Sequence, residues 1–340
     1  MTQNLMNRRS VLKGATAGLA MTAAPGLLRP AAAQSLTPVT YLTPFGYLIA
    51  FAETMFADTG GFFVKHGLDV TIQGGRGSAM AVQQVVARNA LCSRTGGTDL
   101  IKAYAKDPNI VAFAEIYQRD LFYVISGQDD PIESPSDMIG SDIGIVSAGG
   151  ATENILDMML AGQDIAPGEV NRQVVGNAPA AFELVQLGRI KAFIATSDTL
   201  FQLRVDEAPV SAFSTDEFAR VPGQVYMTSR AQYEERQEDL TAFLRGVHDS
   251  LGAMLTMDDL GSVIESMESE YEIFEAGRPD KGLTVLANSL NNYKAPYDEN
   301  LATKPDVWET SHDLMVKAGL IDPIENRNFF DDAVQTMAFQ

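Results

Sequence analysis

Apolar and polar positions change period again and again along this chain. Val39-Thr40-Tyr41-Leu42 is a short β-prone run, 49–66 carries helical spacing that stops at Gly67, and 68–72 alternates Leu, Asp, Val, Thr and Ile as a half-buried strand does. The pattern then predicts a helix over 78–88 capped by Ser78, a strand at 90–93, a helix at 98–106 and a strand at 110–114. After a strand at 121–126, the turn-rich stretch 127–135 is where the chain is expected to leave one lobe for another. A second unit repeats the alternation: strand 143–146, helix 152–162, strand 170–175, helix 179–187, strand 190–195 and helix 198–204. The two units read as loose repeats. Helix, polar turn and apolar strand recur at 79–93, turning on Arg88-Asn89, and at 180–196, turning on Gly188-Arg189. Beyond Pro222 a strand at 225–228 precedes helical patterns at 230–257, 258–276, 281–293 and 305–318, which have no sheet of their own and are expected to pack on the first unit. Short strands alternating with helices make the fold class α/β, with parallel sheets covered by helices.

The 340 residues are about twice the length usual for one domain, which predicts two domains or two lobes. The first 33 do not belong to that fold. Asn7-Arg8-Arg9-Ser10-Val11-Leu12-Lys13, the weakly apolar 14–28 and Ala31-Ala32-Ala33 read as a twin-arginine export signal cleaved after Ala33. The apolar part is too short to span a bilayer, and no later stretch is long and apolar enough to do so. The expected product is a periplasmic protein divided into 34–124, the first part of lobe 1; 125–222, lobe 2; and 223–340, the return to lobe 1 with the C-terminal helices. A net charge of −19 would repel a phosphate backbone, so nucleic acid is a poor partner. A single cysteine, Cys92, and three separated histidines, His66, His248 and His312, offer no disulfide and no zinc spacing.

Four strand ends run into Gly/Ser/Thr turns that open helices: Gly74-Gly75-Arg76-Gly77-Ser78, Thr95-Gly96-Gly97-Thr98, Ala148-Gly149-Gly150-Ala151-Thr152 and Thr196-Ser197-Asp198. Such turns can offer backbone N–H groups and a helix dipole to an anion or carbonyl, and their recurrence at strand ends in both units points to a cleft. No phosphate-binding motif, dinucleotide fingerprint or nucleophile elbow is present, so neither a cofactor nor a hydrolytic triad is expected. Ligand-binding candidates are Phe45, Tyr47 and Tyr117 as flat surfaces, Arg76 as an anion partner with Arg94 and Arg119 as further candidates, and Ser78, Gly97, Thr98, Gly149, Gly150, Thr152 and Ser197 at helix starts. They favour a small aromatic or heteroaromatic solute with an anionic or carbonyl end.

Tyr41-Leu42-Thr43-Pro44, the helical stretch 49–63 and Lys65-His66-Gly67-Leu68-Asp69-Val70 resemble the periplasmic solute-binding proteins of nitrate, sulfonate, taurine and thiamine-pyrimidine-precursor ABC importers. Ser141-Asp142-Ile143-Gly144-Ile145 followed by Gly149-Gly150 resembles the start of their second lobe, and Gly188-Arg189-Ile190-Lys191-Ala192 resembles their helix-to-strand turn. Lys191 and Arg88-Asn89 depart from the pattern. The resemblance implies a two-lobed type II periplasmic-binding fold joined by two strands near 122–127 and 220–226. It implies a hinge that closes on ligand, an ABC permease as partner and a monomeric, non-catalytic receptor. Pyrimidine-forming enzymes of the same fold carry a cysteine-rich iron motif, which a lone Cys92 does not supply. A periplasmic enzyme or a ligand-sensing receptor using the same cleft is the alternative.

Overall fold

The computed structural model describes residues 35–273 and 278–340, so the expected signal, its cleavage at Ala33 and the end of the helical pattern at 258–276 lie outside the described residues. Two five-stranded sheets organise the chain, and both have the same order. In the first, β1 (Thr37–Thr43) lies between β2 (Leu68–Gly74) and β3 (Cys92–Gly96), all parallel. In the second, β6 (Asp142–Ile145) lies between β7 (Asn171–Val174) and β8 (Ala192–Thr196), again parallel. The remaining strands are β4 (Ile110–Tyr117), β5 (Phe122–Gly127), β9 (Val210–Ser214) and β10 (Gln224–Ser229). The orders are β2-β1-β3-β10-β4 and β7-β6-β8-β5-β9. Each sheet is thus completed by one antiparallel strand, β10 or β5, next to the segment where the chain changes sheets.

The chain leaves the first sheet at 118–121 and returns at 215–223. The first passage comes ahead of the turn-rich 127–135, because β5 is hydrogen-bonded to β8 and β9 along its whole length. At the return, Gly223 lies so close to the first passage that a Cβ there would collide with the carbonyl oxygens of Tyr117 and Arg119.

Local sequence explains most elements. β2 alternates buried Leu68, Val70 and Ile72 with exposed Asp69 and Thr71, the period of a half-covered strand. The helical pattern at 49–66 is interrupted: a short 3-10 turn, Ile49–Phe51, leads into the helix Ala52–Thr59, and Gly61 at φ 75° restarts a turn at Phe62–Lys65. Ser78 is the first helical residue of Ser78–Val86 and not its cap; Gly77 at φ 116° takes that place without a side-chain hydrogen bond. The pattern at 230–257 divides at Arg236 into Arg230–Glu235 and Gln237–Thr256. Neither β9 nor the helix Ala333–Phe339 was anticipated.

All eight residues of β4 are buried although it lies at a sheet edge. The C-terminal chain closes that edge: Ala112 donates to Phe329 O at 2.8 Å and accepts from Asp331 N at 2.9 Å, and Glu115 N donates to Leu301 O. The helix Gln237–Thr256 packs on the helices of the first sheet, as expected of the C-terminal third. The helix Pro305–Lys317 departs from that expectation. It packs against both Gly97–Tyr104 and Ala151–Gly162, because Trp308 and Met315 share one apolar cluster with Ile155, Leu156 and Met159.

Candidate functional site

A cavity of about 400 Å³ opens at the carboxyl ends of strands from both sheets, the position where open α/β sheets hold ligands. Leu48 and Ala50, after β1, form one side. Asn177 and Pro179 follow β7, and Thr196, Asp198, Thr199, Phe201 and Gln202 follow β8. Lys281, Thr284 and Val285, from the helix Pro279–Asp298, close it from the first-sheet half.

Asn177 organises the β8 end. Its Oδ1 accepts from Thr196 N and from Thr199 Oγ1, both at 3.2 Å, and its Nδ2 lies 3.2 Å from Thr196 Oγ1. Asn288, one turn along from Thr284, donates Nδ2 to Asp198 Oδ1 at 2.6 Å and to Ser197 Oγ at 3.1 Å, so the two halves already touch through side chains at this wall. Burial pushes the Asp198 carboxyl above its ordinary pKa, while the Asn288 hydrogen bond and the charge of Lys281 act against the rise. One carboxylate, one ammonium, two further amides and three hydroxyls therefore face an apolar floor of Leu48, Val285 and Phe201. That set can orient a small polar solute.

Among the described residues the wall holds no activated nucleophile. None of the three histidines lines it, and Ser197 Oγ accepts from an amide rather than facing a base. Cys92 is fully buried in the first sheet's core, and burial raises its thiol pKa. Among the described residues no group of three or more His, Cys, Asp or Glu could hold a metal ion.

The residues singled out from sequence sit around this cavity and not in it. Phe45 is 62% exposed on a turn whose backbone pairs with Arg76. Tyr47 packs its ring 5.2 Å from that of Tyr271 and donates to Ile72 O at 3.3 Å. Ser78 hydrogen-bonds the Asp99 carboxylate, so an acid already stands where an anion was expected. Gly97 N donates to Gly223 O at 2.8 Å, and Thr98 is half-buried beside it. Gly149 N is taken by Glu153 Oε2 at 2.5 Å, Gly150 N by Ser147 O at 3.2 Å, and Thr152 Oγ1, 2% exposed, accepts from Val146 N at 2.9 Å.

Tyr117 is buried and stacked on Tyr293 at 5.0 Å; it borders a separate cavity of about 350 Å³ with Arg119, Asp216 and Arg220 at the passages between sheets. Ser197 alone sits within the lining segment, between Thr196 and Asp198. At Gly97, Gly149 and Gly150 the backbone N–H is already taken by an acceptor of the protein itself, as buried backbone donors generally are. Among the described residues no arginine lines the 400 Å³ cavity, and Arg94 is consumed by a buried pair with Glu53. Asn177 was missed, although the turn after β7 is the counterpart, by sheet order, of the glycine turn after β2. Lys281 and Thr284 left no local signal at all.

Residues 49–259, more than half of the chain, match the family model described as NMT1/THI5 like, which bears out the family resemblance read from the β1–β2 passage. No curated protein matches the chain in sequence. Among solved structures it is similar to the periplasmic aliphatic sulphonate binding protein SsuA from Escherichia coli, at 13% identity over 90% of this chain and 100% of that one, with a TM-score of 0.62. It is similar to the ligand binding component of an ABC-type import system from Staphylococcus aureus, at 12% identity, 89% and 99% coverage and a TM-score of 0.58. It is also similar to the desulfurization enzyme DszB, at 12% identity, 88% and 98% coverage and a TM-score of 0.51. At these identities the likeness is one of fold. With its family match, paired sheets and two passages, the chain belongs to the NMT1/THI5-like family and folds as periplasmic binding proteins do.

Proposed function

We propose that the chain is the periplasmic solute-binding component of an ABC importer, catching a small organic solute in the 400 Å³ cavity and delivering it to a permease in the inner membrane. The observation that carries this reading is the composition of the cavity wall, which joins strand ends of both sheets to one C-terminal helix and offers hydrogen-bonding groups without an activated nucleophile. A receptor of this kind needs affinity and closure but no general base. The similarity to solved binding proteins, one of them named as a component of an ABC-type import system, supports it.

In this reading the halves built on the two sheets are lobes, the passages at 118–121 and 215–223 are the hinge, and residues 1–33 are the export signal. Lys281 receives a sulfonate or carboxylate end, while Asn177, Gln202 and the threonines serve a carbonyl or ring nitrogen. The absence of arginine from the wall favours at most one negative charge on the solute.

The test is a melting-temperature screen with ethanesulfonate, benzoate and 4-aminopyrimidine, followed by calorimetry on any compound that binds. A true ligand at a hundredfold excess over Kd stabilises by about 2.7 kcal/mol. No rise with any of the three would contradict the solute class, and turnover of a bound compound would favour an enzyme on this fold, as DszB is.

A further inference from the structure

Arg94, on β3, is 1% exposed, and Glu53 is fully buried beside it. Arg94 Nη1 donates to Glu53 Oε1 at 2.8 Å and lies 3.1 Å from Tyr293 OH and 3.2 Å from Ala50 O, while Nε donates to Gln224 Oε1 at 2.5 Å. The guanidinium stands 4.6 Å from the ring centre of Tyr117 and 5.0 Å from that of Phe51. The Tyr293 hydroxyl is 2.7 Å from both Ala50 O and Glu53 Oε2. Tyr226 OH donates to Glu53 Oε1 at 3.0 Å.

These partners lie at four places that matter to the cavity. Ala50 lines it. Tyr293 is on the same helix as Lys281 and Thr284, about three turns further along. Tyr117 is the last residue of β4, where the chain leaves the first sheet, and Gln224 is the first of β10, where it comes back. Fold stability alone is a weak reason for such a cluster, because a wholly buried ion pair can often be replaced by apolar side chains without loss. A guanidinium fork does something an apolar chain cannot, since it fixes several elements at set angles from one point. Burial works against the charge most strongly, but Glu53 together with Tyr293, Tyr117 and Tyr226 outweighs it and holds the Arg94 pKa well above its ordinary value. The fork is therefore permanently charged.

We propose that Arg94, with Glu53 and Tyr293, is a positioning cluster that locks the first-half wall of the cavity to both passages between the sheets, so that seating the solute and bending the hinge are one movement. The inference rests on the cavity's being the solute site.

Its test cuts single arms of the cluster. Tyr293→Phe removes the hydroxyl that ties the helix Pro279–Asp298 to Ala50 and Glu53, Gln224→Leu removes the fork's hold on the returning passage, and both leave the Arg94–Glu53 pair in place. Arg94→Lys keeps a charge beside Glu53 but loses the fork. Spin labels on Glu183→Cys and Glu268→Cys, exposed sites in the two halves, report their separation while the native Cys92 stays buried. Distances and affinities are measured with ethanesulfonate, benzoate and 4-aminopyrimidine. The expected result is a broader distance distribution without ligand in all three variants. Binding of whichever probe shifts the wild-type distance should weaken about tenfold, the size of one lost charge-assisted hydrogen bond. Variants that melt lower but keep the wild-type distances and affinities would show a purely structural cluster and overturn the proposal, leaving the site reading intact. If no probe shifts the wild-type distance, the site reading itself fails, and the proposal with it.

Discussion

Replacing Glu115 by glutamine should change how stability depends on pH. Glu115 lies on β4 with no exposed surface; its Oε1 accepts from Trp308 Nε1 at 2.6 Å and from Lys304 N at 3.2 Å, and its Oε2 has no hydrogen-bond partner. Burial pushes its pKa from an ordinary 4.5 up to about 7, against those two hydrogen bonds and the charge of Lys304. The folded state thus holds a proton that the unfolded chain releases between these values, so this group's stabilising contribution is complete below the ordinary pKa and is lost as pH rises through the shifted one. The 4.5-to-7 rise corresponds to about 3 kcal/mol. Glutamine keeps an acceptor for Trp308 and Lys304 but cannot ionise. Urea unfolding followed by circular dichroism at about pH 5 and about pH 8 should show the variant gaining on the wild type at the higher pH, by about 2 to 3 kcal/mol. An equal gap at both pH values would refute the reasoning.

Three more outcomes follow from individual contacts. Gly223→Ala forces a Cβ against the carbonyls of Tyr117 and Arg119, and thermal melting should register a loss of about 1 to 3 kcal/mol. Asn177→Ala removes the acceptor shared by Thr196 N and Thr199 Oγ1; calorimetry should find solute affinity about tenfold lower with little change in melting temperature. Burial pushes the Asp120 pKa up to about 7, and the nearby Asp216 carboxylate adds to the rise. Asp120→Asn should therefore flatten the fall in stability between about pH 4 and pH 7, a change that unfolding curves across that range would detect.

Alternation and period made the α/β class, the parallel strands and the repeated units legible: β2 buries Leu68, Val70 and Ile72 on one face, and β2 and β3 end in Gly74 and Gly96. β9 escaped because Val210–Ser214 offers one buried side chain, Phe213, to a sheet edge. Tyr117 lies away from the 400 Å³ cavity for a different reason. An aromatic at a strand end reads as a cleft surface, yet β4 is covered throughout by the C-terminal chain and by Tyr293, which follows it by more than a hundred residues. The glycine turns lie at the same end of the sheets as the 400 Å³ cavity, but other atoms line it. Gly149 and Thr152 satisfy their own turn, whereas Asn177 and Asp198 present side chains to the cavity. Lys281 and Asn288 reach the site only through tertiary packing of a distant helix, which no local pattern encodes.

A solute bound between the two halves should draw them together. X-ray scattering on the protein, with and without the compound that raises its melting temperature, tests this most directly. The bound state should have a smaller radius of gyration, with the change lost together with affinity in Asn177→Ala. A radius that stays the same on saturation with a proven ligand would contradict it.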